Sequence, residues 1–137
     1  MLLFGTYNHQ MDEKKRIRIP AKLKEALGAT PVIMKGNSPC LVVYSSERAS
    51  EVIKAKYQEI IDGTVTDEDK MDLLRDLTSN TQNAEEDKQG RVKLEKNLVD
   101  YAGLTKDIVT IGVYDKVEIW SAEEWARRQS KKAKVSQ

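Results

Sequence analysis

The stretch DEKKRIRIP, Asp12 to Pro20, returns as DKQGRVKLE, Asp87 to Glu95: an aspartate, three polar residues, an arginine, then apolar and basic residues in alternation. The repetition extends well beyond these nine positions. At an offset of 75, Ile17 meets Val92, Ile19 meets Leu94, Leu23 meets Leu98 and Gly28 meets Gly103. At an offset of 76, Gly36 meets Gly112, Tyr44 meets Trp120, Ser45 meets Ser121 and Glu47 meets Glu123. One inserted residue reconciles the two registers, so the chain reads as two copies of a unit of about 45 residues. A unit of short strands and one short helix cannot bury its apolar face alone. Two such units pairing about a pseudo-two-fold axis can close a small barrel, which removes exposed sheet edges.

The expectation is therefore an α+β fold, a pseudo-two-fold β-barrel with peripheral helices. It forms a single domain over residues 1–137. The first repeat covers 1–50, a helical connector 51–80, the second repeat 81–126 and a basic tail, expected to be disordered, 127–137.

Each copy repeats one order of elements. LLFGTYNHQM reads as a strand, Asp12 to Lys15 as a turn, and RIRI as a strand whose period of two puts Arg16 and Arg18 on one face and Ile17 and Ile19 on the other. Pro20 suits the first turn of a short helix, PAKLKEAL, which Gly28 stops. PVIMK and CLVVYS form a hairpin. The second copy supplies RVKL, a short helix ending at Gly103, then DIVTIGV and KVEIWS. Ser121 with Glu124 makes a capping box before AEEWARRQ, and Ser45 or Ser46 caps ERASEVIKAKYQEII. In the connector Thr66 precedes DEDKMDLLRDL, with Met71, Leu74 and Leu77 at helical spacing.

Charge gains meaning once it is divided along the chain. The total is only +1, but residues 1–46 carry +4, residues 47–87 carry −7, and residues 126–137 hold five basic residues and no acid. Positive potential is thus concentrated at the two ends. Cys40 is the one cysteine, which excludes an internal disulfide and suits a reducing compartment. No apolar run approaches the roughly 18 residues of a membrane span, and the N-terminus lacks the pattern of a signal peptide. The expectation is a cytoplasmic protein with no membrane partner.

The two turns are where chemistry is expected. Lys14, Lys15 and Lys88, with the strand-borne Arg18 and Lys93, supply attraction to closely spaced phosphates. Arg16 and Arg91, at the turn exits, carry the planar fork that can bond a guanine O6/N7 edge in the major groove. Asp12 and Asp87 suit an orienting role, since a carboxylate repels phosphate but accepts turn amides or holds the arginine. Taken alone, a basic hairpin turn is most simply a solvated turn.

Other residues fit plain structural roles. His9, the one histidine, reads as a packing residue on a strand. Cys40 reads as a small buried side chain, and Trp120 and Trp125 as core and helix-packing residues. The acids from Asp67 to Asp72 suit a helix N-terminus, and no metal site, cofactor or small-molecule ligand is indicated. The tail RRQSKKAKVSQ is a candidate second DNA anchor.

TYNHQMDEKKRIRIPAKLKEALG, CLVVY, DKQGRVKLEKNLVDYAGLTKDIVTIGV and VEIWSAEEW together resemble the MraZ family of bacterial transcriptional regulators, over roughly residues 1–126 and in matching order and spacing. The resemblance implies a swapped-hairpin barrel similar to AbrB-type DNA-binding domains, with both halves in one chain. It also implies a ring-shaped homo-oligomer that binds double-stranded DNA at short G-rich direct repeats, in the promoter of the division and cell wall gene cluster, its own operon. The duplication and the resemblance together turn the basic turns into DNA readers.

Four features depart from the family pattern. Lys15 stands where the first motif usually has glycine, so a positive φ there would strain it. Glu95 replaces a usual proline, Val99 stands where a basic residue is common, and TQNAEED is more polar and acidic than the usual strand. The second turn is accordingly expected to be the weaker reader.

Two rival functions have discriminators. An antitoxin-like interaction module of the same barrel class would carry an extended, usually acidic tail; this tail is basic, and a pull-down recovering a stoichiometric toxin would revive the idea. An enzyme would need a nucleophile with its base, a metal cluster or a phosphate-cradling glycine loop, and the sequence shows none.

Overall fold

The computed structural model describes residues 2–136, with side chains through Lys132. The first repeat contributes β1 (Thr6–Gln10), β2 (Arg16–Ile17), α1 (Ala21–Leu27), β3 (Val32–Lys35), β4 (Leu41–Tyr44) and α2 (Ser46–Asp62). The connector supplies α3 (Asp67–Ser79). The second repeat follows with β5 (Gln82–Asn83), β6 (Val92–Lys93), α4 (Lys96–Ala102), β7 (Asp107–Val113), β8 (Lys116–Ser121) and α5 (Ala122–Ser136).

The strand order shows how the duplication folds. Six strands form one sheet in the order β1-β7-β8-β4-β3-β5, and β2 pairs with β6 in a separate two-stranded ribbon. Exchanging each strand for its repeat-mate reverses the six-stranded order onto itself, which is the signature of a pseudo-two-fold axis. Each repeat's first strand pairs with the other repeat's hairpin: β1 lies against β7, and β5 against β3. Neither repeat therefore completes a sheet without its partner.

The sheet is not closed into a barrel, which corrects the expected architecture. β1 and β5 remain its outer strands. The reason lies in β5, which is two residues long where β1 has five. Its surroundings, TQNAEED, offer too few apolar side chains to hold a full strand in register. The opening is covered by the β2–β6 ribbon and by α1 and α4, which send Ile17, Val92, Leu23 and Leu98 into one core with Leu41, Val43, Val117 and Ile119 from the sheet.

The alternation read from RIRI holds: Ile17 and Ile19 are buried while Arg18 is exposed and Arg16 half-buried. A second, smaller core lies under α5, where Val42, Val109, Ile111 and Trp120 meet Trp125. The two indole rings lie 5.6 Å apart, and the Arg128 guanidinium sits 5.2 Å above Trp120. Cys40 joins this core with its thiol pushed up to about 12, chiefly by burial and then by the charge of Glu118. His9 Nε2 shares a 2.6 Å hydrogen bond with Thr110 Oγ1, the packing role expected of it.

Helix boundaries follow the capping residues. Ser45 Oγ accepts from Arg48 N at 3.2 Å, Thr66 Oγ1 from Asp69 N at 3.1 Å, and Ser121 Oγ from Glu124 N at 3.1 Å. α5 continues to Ser136, so the described part of the basic tail is helical. Its arginines and lysines are good helix formers and suit the negative end of the helix dipole. Residue 137 lies outside the described residues. The α2–α3 hairpin is thinly attached: Ala49 alone among its residues is buried, while Tyr57, Ile61, Val65, Met71 and Leu73 are exposed.

Candidate nucleic-acid interface

The two Asp-x-x-x-Arg turns have the same internal wiring. Asp12 Oδ1 accepts the backbone N–H of Lys14 and of Arg16, both at 2.9 Å, and Oδ2 accepts Arg16 Nε at 2.7 Å. Asp87 Oδ1 accepts Gln89 N at 2.8 Å and Arg91 N at 2.9 Å, and Oδ2 accepts Arg91 Nε at 2.9 Å. Lys15 N donates to the Asp12 carbonyl at 3.1 Å, and Gly90 N to the Asp87 carbonyl at 3.0 Å. One carboxylate thus satisfies two inward amides with one oxygen and fixes a guanidinium with the other. Because that bond uses Nε, the terminal nitrogens of Arg16 make no hydrogen bond among the described residues.

The ribbon sets the turns side by side. Its register pairs Arg16 with Lys93 and Ile17 with Val92. Ile17 thereby faces its own repeat-mate, and the pseudo-two-fold axis passes between them. The turn arginines are half-buried, at 25% and 23% exposure, whereas Lys14, Lys15, Arg18, Lys88 and Lys93 are exposed. All seven cationic positions expected from the sequence belong to this ribbon and its turns. Arg18 does more than present charge, because its Nε donates to the Gln89 carbonyl at 3.2 Å across the axis.

Acidic neighbours limit the positive surface. Lys24 neutralises Glu86 at 2.6 Å, while Glu13 stands exposed within the first turn. Gln82, absent from the expected site, holds the end of β6: its Nε2 donates to the Lys93 carbonyl at 3.0 Å and its Oε1 accepts Glu95 N at 2.8 Å. Nothing in its sequence position marks it, since the contact depends on β5 and β6 approaching in space. Among the described residues no group of three or more His, Cys, Asp or Glu side chains could hold a metal ion, and no helix is long and apolar enough to cross a membrane.

Backbone strain distinguishes the turns. The fourth position has φ 64° at Lys15 and 77° at Gly90, the left-handed region that disfavours a side chain. Lys15→Gly should therefore raise stability by about 0.5–1 kcal/mol, the relief of strain less the extra entropy of the unfolded chain. Thermal unfolding checks the sign, and an unchanged or lower melting temperature would count against strain at this residue.

Both carboxyls are held below the usual aspartate range: the backbone amide of Arg16 or Arg91 is the largest cause, burial opposes it next, and the guanidinium and the second amide add to the lowering. Their contribution is fully present above the ordinary aspartate value and is lost as pH falls through the lowered one. The turns should hold their shape from neutrality down to about pH 4 and loosen below it. Carboxyl carbon NMR titration, with both midpoints below those of exposed aspartates, is the check.

Comparison with known proteins identifies the family. A family model described as MraZ protein, antitoxin-like, matches residues 2–62 and again 77–137, one match for each repeat. The chain is 40% identical over 125 residues to the transcriptional regulator MraZ of Clostridium beijerinckii, covering 91% of this chain and 85% of that one. It is 38% identical over 124 residues to the transcriptional regulator MraZ of Clostridium tetani, covering 90% and 84%. With that of Natranaerobius thermophilus the figures are 38% over 128 residues, covering 93% and 87%. With a doubled family match, relatives aligned over nearly the whole chain and a sheet that interleaves the two copies, this chain belongs to the MraZ family.

Proposed function

We propose that the protein is a sequence-specific, non-enzymatic DNA-binding transcriptional regulator. It acts as a ring-shaped homo-oligomer on short G-rich direct repeats in the promoter of the division and cell wall gene cluster, its own operon. One observation carries the reading: two identically wired Asp–Arg turns lie side by side about the pseudo-two-fold axis, rimmed by exposed lysines. Fixed arginine forks suit base edges, and mobile lysines suit phosphates. The regulator names of its relatives and the interleaved repeats support the same reading.

Self-association is favoured by exposed apolar side chains. The α2–α3 hairpin carries Tyr57, Ile61, Val65, Met71 and Leu73, and the N-terminal segment carries Leu2 and Phe4, each at least 37% exposed. One ribbon makes few base contacts, so several subunits engaging tandem repeats would raise affinity through effective concentration. Footprinting on the DNA upstream of the protein's own gene, with light scattering on the same sample, tests both parts. Regularly spaced protection by a defined oligomer is expected. An unprotected upstream region would sink the regulator reading, and a monomeric mass would sink the ring.

A further inference from the structure

We propose that Arg18, in the first repeat, is a positioning residue for Arg91 in the second, seating the second turn rather than serving mainly as a phosphate contact. This rests on the regulator reading and assigns a division of labour within its site. Arg18 Nε reaches across the ribbon to the carbonyl of Gln89, which lies inside the second turn between Lys88 and Gly90. A second contact crosses in the same direction, since Asp12 Oδ2, already bonded to Arg16 Nε at 2.7 Å, lies 4.0 Å from Arg91 Nη1. The two guanidinium nitrogens are therefore within about 7 Å of each other, roughly two base-pair rises.

The side-chain bracing runs one way, whereas the first turn receives a backbone bond, from Leu94 N to the Lys15 carbonyl at 2.9 Å. The pseudo-two-fold axis relates Arg18 to Lys93 and Asp12 to Asp87. Among the described residues, however, the Lys93 side chain makes no hydrogen bond or ion pair, and Asp87 bonds only within its own turn. The chemistry accounts for the difference. A guanidinium can donate sideways through Nε while its terminal nitrogens stay available, whereas lysine has only a terminal ammonium. The need differs as well: Gly90 accepts φ 77° without strain but loses more conformational freedom on ordering than Lys15 does. Each turn is held from the other repeat, the first by a backbone bond at the Lys15 carbonyl and the second, with the freer backbone, by the Arg18 side chain.

The test uses the full chain as wild type, R18A, R91A and the R18A/R91A pair. Binding is titrated across a salt series to a duplex from upstream of the protein's own gene and to a scrambled duplex of equal length. R18A should bind the upstream duplex roughly tenfold more weakly, with affinity for the scrambled duplex and the salt slope nearly unchanged. The double variant should bind no worse than R91A alone. Equal losses on both duplexes with a slope reduced by about one would make Arg18 a phosphate contact and overturn the proposal, as would additive losses in the double variant. A wild type that does not distinguish the duplexes would sink the regulator reading instead. Hydrogen exchange then decides the bracing by itself. Severalfold faster exchange at Gln89, Gly90 and Arg91 in R18A, with Lys14 to Arg16 unaffected, supports it, and unchanged exchange in the second turn overturns it.

Discussion

Arg16→Ala is expected to abolish sequence-specific DNA binding while leaving fold and assembly intact. The side chain is already fixed before any ligand arrives, with its Nε on Asp12 at 2.7 Å and its terminal nitrogens unused. Little ordering cost remains to be met on binding. A bidentate arginine contact to a base is worth roughly 1–3 kcal/mol of discrimination, and the loss recurs in every subunit engaged on tandem repeats. Folding should hardly notice, because a partly exposed ion pair contributes at most about 1 kcal/mol. A gel shift across a salt series, beside light scattering, reads both halves. Promoter binding retained by the variant would remove Arg16 from the site. Arg91→Ala should lose specificity as well, since its turn has the same bonds. The two differ in their flanks, Glu13, Lys14 and Lys15 in one turn against Lys88, Gln89 and Gly90 in the other, and in the side-chain contacts that Arg18 and Asp12 make to the second turn.

Gly112→Ala should produce the largest loss of stability from the smallest change of side chain. A Cβ at Gly112 would stand 2.3 Å from the backbone nitrogen of Phe4 and 2.7 Å from the carbonyl carbon of Leu3. Those atoms are not free to move. Gly112 N donates to the Gly5 carbonyl at 2.9 Å, and Leu3 and Tyr114 exchange backbone bonds at 2.7 and 2.9 Å. Relieving the clash means peeling the N-terminal segment from β7 and withdrawing Leu3 from the main core. The cost approaches that of deleting a buried leucine, about 2–4 kcal/mol, or a fall of roughly 10 °C in melting temperature. Gly28→Ala is the control, since no atom lies within 4 Å of the added carbon and only the backbone conformation, φ 87°, opposes it. A Gly112→Ala melting point within a degree or two of wild type would show the N-terminal segment to be dispensable.

Much of this was legible in the residues. The offset of 75 between Asp12 and Asp87, and of 76 between Gly36 and Gly112, announced two equivalent units. The alternation in RIRI placed Ile17 in the core and Arg18 outside, because side chains on a strand alternate whatever the strand pairs with. Capping at Ser45, Thr66 and Ser121 was equally local, since a hydroxyl reaching an amide three residues on needs no distant partner. The doubtful residue in the first turn was also visible, as lysine occupies the place where Gly90 stands in the second.

Closure of the barrel was not legible. It depends on whether β5 extends far enough to meet another edge, and two polar residues do not. The length of α5 was not legible either, because composition alone says nothing of Trp125 and Arg128 packing on Trp120 to anchor its start. The roles of Gln82 and of the Gln89 carbonyl were out of reach for a similar reason. Each acts on a residue that only the antiparallel ribbon brings near.

The chain by itself determined that there are two units, which faces of their strands are apolar and where α2, α3 and α5 are capped. These depend on interactions a few residues long and on a pattern that repeats. Tertiary structure decided that each unit's hairpin completes the other's sheet, that Ile17 faces Val92, and that two turns 75 residues apart come within side-chain reach of each other. It also gave the repeated glycines their reason. Cys40 crowds Gly36 and the N-terminal backbone crowds Gly112, so one duplicated absence of a side chain serves two different close approaches.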